Sequence, residues 1–294
     1  MRNQSKHCPA CGSNQIEQRE SAETALWVQQ LLGEVLEPCE MIWCGSCGSS
    51  YFDERYNQGQ LEKLYSDYRG EKYNLLRYGT NDYERTRQGS VSLQTWNRDR
   101  REQIENFLYR NGVSQENLEI VFDIGGSTGD LIPRSACHPI LVDMTPRPTD
   151  HRVQVATSIA EYFQGAERSG TFAETSPTVL VMLIGVLEHV SVPKEFLKSL
   201  RDEVKFHSPK SKTKFMVQVP AGIPEPRPRS QRNWDLVKSE HQTFFSSEGL
   251  QKLLIQTFVG GKISAIEQLQ VPSSGFAAEL ASGHSLNALV DLAS

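Results

Sequence analysis

The segment IVFDIGGSTGDLIPRSACHPILVD, residues 120–143, constrains the fold of this chain more than any other. Ile120-Val121-Phe122 is an apolar run too short for a helix and suited to a strand buried in a parallel sheet. Asp123 follows, then Gly125, Gly126, Ser127 and Gly129. Glycine lets the chain turn with positive φ and lets a ligand lie against bare backbone. A second apolar run, Ile140-Leu141-Val142, ends in Asp143. Strand, glycine turn, helix, strand and terminal acid are the plan of a nucleotide-binding βαβ unit. The glycines do not have the G-x-G-x-x-G spacing of a dinucleotide fold. An acid two residues ahead of the first glycine suits a cationic or hydroxyl-bearing ligand better than a diphosphate.

The second constraint is cysteine spacing. CPACGS carries Cys8 and Cys11, CGSCGS carries Cys44 and Cys47, and 32 residues separate the two knuckles. Each C-x-x-C puts two thiolates on one tight turn, and four converging thiolates are what tetrahedral zinc takes. With all four positions filled by cysteine and none open to water, the expected role is structural. Thr24–Val28 and Met41–Trp43 read as short strands, so residues 1–50 are expected to form a zinc ribbon that needs its metal to fold. Cys39 is a spare ligand or a buried thiol.

The remaining 51–294 read in order. Residues 51–91 are rich in tyrosine and charge and make a linker or cap, in which Tyr68, Tyr73 and Tyr78 either close over a substrate or pack the linker down. Residues 92–294 alternate helix and strand. Ser92–Arg110 is a helix stopped by Gly112. TPRPTD after Asp143 excludes a regular helix. Arg152–Thr157 is a third strand, and Ser158 caps a helix over Ile159–Gly165. Thr178–Ile184 is a central strand, Pro193–Val204 an amphipathic helix and Lys214–Val219 a strand. Residues 221–245 form an insertion too proline-rich for a core, with Arg227, Arg229 and Arg232 clustered in it. A helix from Ser246 or Ser247 to Phe258 and a final antiparallel pair, Ile263–Val271 and Ser285–Leu292, complete a mostly parallel α/β sheet.

Charge and hydropathy exclude some functions. A formal net charge of −5 argues against a surface built for nucleic-acid phosphates. No apolar stretch approaches the ~20 residues that span a bilayer. MRNQSKHCPA lacks the apolar core of an export signal, so a cytoplasmic location is expected.

The order Asp-x-Gly-Gly-Ser-x-Gly at 123–129 resembles the first motif of class I S-adenosylmethionine-dependent methyltransferases, D/E-x-G-x-G-x-G, with Ser127 at the middle glycine. GVLEHVSVPKEFL at 185–197 is similar to the "LEH" segment after the fourth strand of the methyltransferase-12/23-type families. SEHQTFFSSEGLQKLL at 239–254 is similar to their "EH-x-x-F-F-S" segment. The double cysteine knuckle followed by Tyr51, LEKLYSDY and Lys72-Tyr73 resembles zinc-ribbon-bearing members, which often modify sugars or surface polysaccharide. The likeness is not expected to reach the larger sugar C-methyltransferases in full, because they carry an additional C-terminal domain that a sequence of this length would not hold.

The resemblance implies a Rossmann-like, seven-stranded, mostly parallel sheet and an S-adenosylmethionine cofactor. Asp123, Gly125, Gly126, Ser127 and Gly129 would frame its methionine end, and Asp143 its ribose hydroxyls. Thr157 and Ser158 would meet the adenine; Leu183, Ile184 and Gly185 would pass near the sulfonium. The sulfonium already activates the methyl group, so in-line placement supplies much of the rate. A hydroxyl acceptor must also lose its proton, which suits a histidine. His241 and His189 are the candidates, with His241 preferred for its place in the insertion; local hydrogen bonding is the structural alternative for each. Arg227, Arg229 and Arg232 are candidates for a phosphate or diphosphate on the substrate. The leading expectation is methylation of a carbohydrate or other small hydroxyl. The alternatives are an RNA methyltransferase, or a cofactor-binding interaction module without turnover.

Overall fold

The computed structural model describes residues 7–68, 70–79, 93–114, 118–169, 177–221, 237–270 and 284–292. In chain order its elements are β1 (Ile16–Thr24), α1 (Leu26–Leu32), β2 (Cys39–Cys44), β3 (Ser50–Phe52), α2 (Gln58–Tyr65), α3 (Glu71–Tyr78) and α4 (Leu93–Arg110). Then come β4 (Ile120–Ile124), β5 (His138–Val142), β6 (Gln154–Ala156), α5 (Ile159–Ser169), β7 (Thr178–Ile184), a 3-10 turn (Leu187–His189), α6 (Pro193–His207) and β8 (Lys212–Pro220). β9 (Val237–Lys238), β10 (Thr243–Phe244), α7 (Ser247–Thr257), β11 (Lys262–Gln270) and β12 (His284–Asp291) follow.

Seven strands make one sheet in the order β11-β12-β8-β7-β4-β5-β6. The five from β6 to β8 are parallel, and β12 runs antiparallel to both β8 and β11. This is the expected mostly parallel α/β sheet. β4 is buried along its whole length, and its residues alternate between two cores. Ile120, Phe122 and Ile124 join the core that α5, α6 and α7 cover. Val121 faces the other, where Ile104, Phe107 and Leu108 of α4 pack. Period-two alternation into two apolar layers is what a strand between two helical layers requires.

One expected element is absent: no helix joins β4 to β5. Pro133 in the middle of the span has no N–H for a helical bond, and Gly125 and Gly129 sit at φ +71°. The segment crosses in tight turns, with the Ile132 N–H on the Gly129 carbonyl at 3.2 Å and the Ala136 N–H on the Pro133 carbonyl at 3.1 Å. Ile132 and Ala136 pack into the layer that α4, from before β4, already fills.

The cysteine-bearing residues form a second sheet in the order β10-β3-β2-β1-β9. Met41–Trp43 lies within β2 as expected, but the strand expected over Thr24–Val28 is replaced by the end of β1 and the start of α1. Val28, Leu31 and Leu32, three and four residues apart, are the buried face of that helix, so helical spacing prevails over a short apolar run. The insertion at 221–245 also differs from expectation in its second half. β9 pairs with β1, and β10 with β3, while Gln242, Thr243 and Phe245 are wholly buried. Its prolines, Pro224, Pro226 and Pro228, all precede that half. Arg227, Arg229 and Arg232 lie outside the described residues. No described helix is long and apolar enough to cross a membrane.

Candidate active site

Asp123 is the penultimate residue of β4, two before Gly125 and the glycine turn, 1% exposed, and neither carboxylate oxygen has a hydrogen-bond partner among the described residues. Burial, with the nearby Asp143 charge second, pushes its pKa up to about 7. Buried carboxylates without partners are unfavourable and mark groups shaped for a ligand. Gly126 is required for space rather than for φ, because a Cβ there would overlap the Asp123 carboxylate. Ser127 is the one non-glycine with positive φ (56°) among the described residues, a conformation that costs about 1–2 kcal/mol. It is held there from both sides. Its N–H donates to Asp143 Oδ2 at 2.9 Å, and its carbonyl accepts the Arg147 N–H at 2.7 Å. The other Asp143 oxygen accepts the Thr145 N–H at 2.7 Å, so this carboxylate shapes the turn it neighbours.

A cleft opens over the turn. On one side α4 brings Trp96 and Arg100, whose guanidinium lies 4.9 Å from the Trp96 ring centre and donates to Gln218 Oε1. Tyr68, Tyr73, Arg77 and Tyr78 from the tyrosine-rich segment line the top. Tyr73 is also packed against Trp27 and Tyr68, so these aromatics both line the cleft and anchor the segment. Glu188, His189, Glu240 and His241 form the opposite wall.

That wall separates two carboxylates by environment. Burial raises Glu188 to about 8, and its Oε2 has no partner among the described residues. Burial would raise Glu240 too, but Arg77, His241 and His189 outweigh it and hold the carboxyl at about 2, with Arg77 ion-paired to Oε1. Burial, then the neighbouring His241, pulls His189 down to about 3, and burial also lowers His241. The imidazole centres are 4.6 Å apart, edge to face. His189 Nδ1 lies 3.2 Å from the Glu240 carbonyl, which can only accept, so Nδ1 carries the proton and Nε2 keeps its lone pair.

The four cysteines converge. Cys8, Cys11, Cys44 and Cys47 are buried with all four sulfurs within 4.8 Å of one another, Cys8 to Cys47 at 3.8 Å and Cys11 to Cys44 at 3.6 Å. Four sulfurs about 2.3 Å from a tetrahedral zinc lie about 3.8 Å apart, so the spacing fits. Gly12 and Gly48, at φ +76° and +68°, return their N–H groups to the Cys8 and Cys44 carbonyls and close each knuckle. Cys39 is buried apart from the cluster, and burial raises it to about 11.

The other expected residues are placed as follows. Gly125, Gly126, Ser127, Ile184 and Gly185 line the cleft; Leu183 is fully buried beneath it. The Thr157 hydroxyl donates to Glu161, and Ser158 caps α5 through the Glu161 N–H at 3.1 Å. Arg77, Arg100 and Gln242 were not singled out by sequence reasoning. Arg77 and Arg100 sit on helices where charge ordinarily marks a solvated face, and Gln242 bears no signal beyond the EHQTFF segment that contains it.

A parallel sheet with a glycine turn and an acid at each of two adjacent strand tips defines a Rossmann-like, nucleotide-binding class of fold. Residues 96–257, more than half of the chain, match the family model for the methyltransferase domain, Methyltransf_23, and the chain belongs to that family. It is a methyltransferase, and the family supports S-adenosylmethionine as its methyl donor. Among solved structures, it is similar to a SAM-dependent methyltransferase from Archaeoglobus fulgidus at 16% identity, over 65% of this chain and 94% of that one, with a TM-score of 0.37. It is also similar to the mitomycin 7-O-methyltransferase MmcR at 14% identity, over 79% of this chain and 67% of that one, with a TM-score of 0.33. At these TM-scores the overlays add nothing to the family assignment. No curated protein sequence matches the chain.

Proposed function

We propose that this methyltransferase transfers its methyl group to the hydroxyl of a carbohydrate or other small acceptor. The observation that carries the reading is the pair of imidazoles, His189 and His241, packed edge to face in the same cleft as Asp123 and the glycine turn. Asp123 would take the ammonium of the methionine end and Asp143 the ribose hydroxyls, while Gly125, Gly126, Ser127 and Gly129 give the backbone room. Ile184 and Gly185 would flank the sulfonium, with Leu183 packed behind them. Thr157 and Ser158 would meet the adenine, with both hydroxyls and the Thr157 N–H already engaged with Glu161. When bound, S-adenosylmethionine supplies a methyl group already electrophilic on sulfur.

The chain's own task is then to orient the acceptor and accept its proton. Of the two histidines, His189 has its accepting atom defined, because Glu240 fixes its tautomer. In this reading His189, rather than the expected His241, is the base, with His241 beside it to orient the hydroxyl. Arg227, Arg229 and Arg232 remain proposed contacts for a phosphate on the substrate. Zinc at Cys8, Cys11, Cys44 and Cys47 would hold residues 1–50 together, with 51–91 as cap and 92–294 as the methyltransferase domain.

The test is transfer from methyl-labelled S-adenosylmethionine into fractionated cell extract. Label in a carbohydrate or small-molecule fraction as an alkali-stable ether supports the reading, with a loss of at least tenfold in His189→Ala. Label confined to RNA, or on nitrogen or carbon, overturns it.

A further inference from the structure

Gln242 is wholly buried and engages every polar atom it has. Its N–H donates to the Glu188 carbonyl at 2.7 Å, and its own carbonyl accepts the Phe52 N–H at 3.2 Å. Its side-chain Nε2 donates to the His189 carbonyl at 2.5 Å, and Oε1 accepts the Tyr56 N–H at 2.9 Å, with Ser191 Oγ 3.3 Å away. One residue therefore sits next to His241 in the chain, holds the backbone of Glu188 and His189, and is itself held by residues that follow the cysteine knuckles. The neighbouring bonds repeat the pattern. Ser191 Oγ donates to the Tyr56 carbonyl at 2.6 Å, and Arg55 Nη1 donates to the Ser191 carbonyl at 3.2 Å and to Thr243 Oγ1 at 3.0 Å. Tyr56 OH reaches the Ser239 carbonyl at 2.8 Å. Residues 55–56, a short step past β3, thus clasp both histidine-bearing segments.

We propose that Gln242 is a positioning residue that fixes the two imidazoles relative to each other, and that through Tyr56 it makes the cysteine-bearing module part of the acceptor site. The inference rests on the histidine reading above. The physical reason is the geometry of attachment. The 3-10 turn with Glu188 and His189 and the two-residue strand β10 after His241 are too short to hold orientation by themselves. A carboxamide can donate to one and be anchored by the other module at the same time. Removing a buried donor or acceptor leaves its partner unsatisfied, so the segments must shift to find water or each other. The histidine tautomer is the atom-level consequence, because it depends on the Glu240 carbonyl lying against His189 Nδ1.

The test uses the full chain with its metal, 15N-labelled at histidine, without any acceptor. His189→Ala and His241→Ala assign the two rings. The groups facing His189 are Glu188, with Oε1 3.9 Å from Nε2, His241, the Tyr65 ring and the charges of Glu240 and Arg77. In the wild type His189 is expected as the Nδ1-protonated tautomer, uncharged through the neutral range. Gln242→Met removes both side-chain links, and Gln242→Glu keeps the acceptor for Tyr56 but loses the donor to His189. In both, the tautomers are expected to mix and the ring to titrate above its wild-type position. Affinity for S-adenosylhomocysteine is expected to stay within about twofold of wild type, which rules out general collapse of the cleft. Val204→Ala, in the core of α6, controls for loss of stability alone and should leave both rings unchanged. Wild-type tautomer and titration in both Gln242 variants overturn the proposal, as does a tenfold loss of S-adenosylhomocysteine affinity alongside the ring change. If His189→Ala leaves methyl transfer intact while the ring signals change as described, the base assignment fails and the positioning role stands.

Discussion

Replacing Asp123 by asparagine isolates the energy stored in one buried carboxyl. The group is 1% exposed, without a hydrogen-bond partner among the described residues, and burial raises it from 3.8 to about 7. A raised acid contributes stability that is fully present below its unfolded pKa and lost as pH rises through the folded one. Between those values the unfolded chain ionises Asp123 and the folded chain does not. At about 1.4 kcal/mol per unit, the penalty is about 1.5–2 kcal/mol at pH 5 and about 4 kcal/mol at pH 8. The asparagine variant lacks this linkage, whatever its amide gains or loses by burial, because that contribution does not change with pH. Urea unfolding of both proteins at the two pH values is the assay. The variant is expected to gain about 2–3 kcal/mol on the wild type from pH 5 to pH 8. A change under about 0.5 kcal/mol would refute the buried-acid reasoning.

The same group links protons to cofactor. If the methionine ammonium holds Asp123 as a carboxylate, binding releases a proton below pH 7. Wild-type affinity for S-adenosylhomocysteine is then expected to rise by up to about tenfold per pH unit from pH 5 to pH 7. Calorimetry on Asp123→Asn should show weak binding with no such slope. An equal slope in both proteins would place the ligand elsewhere.

Other perturbations probe separate parts of the site. Gly126→Ala drives a methyl group into the Asp123 carboxylate, so S-adenosylhomocysteine affinity should fall at least tenfold in calorimetry, with little change in circular dichroism. Asp143→Ala removes the acceptor that holds the Ser127 N–H, and the same titration should show at least a tenfold loss; unchanged binding would count against the ribose assignment. Ser127→Gly relieves a left-handed backbone worth about 1–2 kcal/mol but adds about 0.5–1 kcal/mol of chain entropy, so its melting temperature should match or slightly exceed wild type. Metal withdrawal by a strong chelator, or Cys44→Ser, should release one zinc per chain by elemental analysis and expose Trp43, now 3% accessible, to a fluorescence quencher.

What the sequence made legible is what chemistry confines to a short stretch. The strand that carries Asp123, the glycines after it and the two cysteine knuckles are each written within a few residues, and each folds as such. The missing helix after β4 was legible too, since Pro133 stands in the span, but the βαβ template outweighed it. The strands β9 and β10 were not, because two residues show no period. Nor were Arg77, Arg100 and Gln242: their partners, Glu240, Gln218 and Tyr56, lie more than a hundred residues away in the chain.

The wall proposed to hold the acceptor joins those two kinds of information. Glu188-His189 and Glu240-His241 are near-identical pairs in the sequence, yet the fold gives them opposite characters. Glu240 faces Arg77, stays ionised and lends its backbone carbonyl to His189; Glu188 faces no cation closely enough to offset burial and keeps its proton to about pH 8. An ionised acid beside a neutral one, with two imidazoles whose pKa burial lowers, would on the proposed reading hold a hydroxyl and receive its proton without adding net charge to a buried cleft beforehand. Swapping the partners, by Arg77→Leu, should therefore do more than weaken one ion pair. Glu240 would lose the second-largest influence on its pKa and rise toward Glu188, the two carboxyls would become alike, and the pH at which transfer is fastest should move upward as the neutral Glu240 waits to ionise. A pH-rate profile unchanged by Arg77→Leu would show that the asymmetry of the two pairs has no part in the reaction.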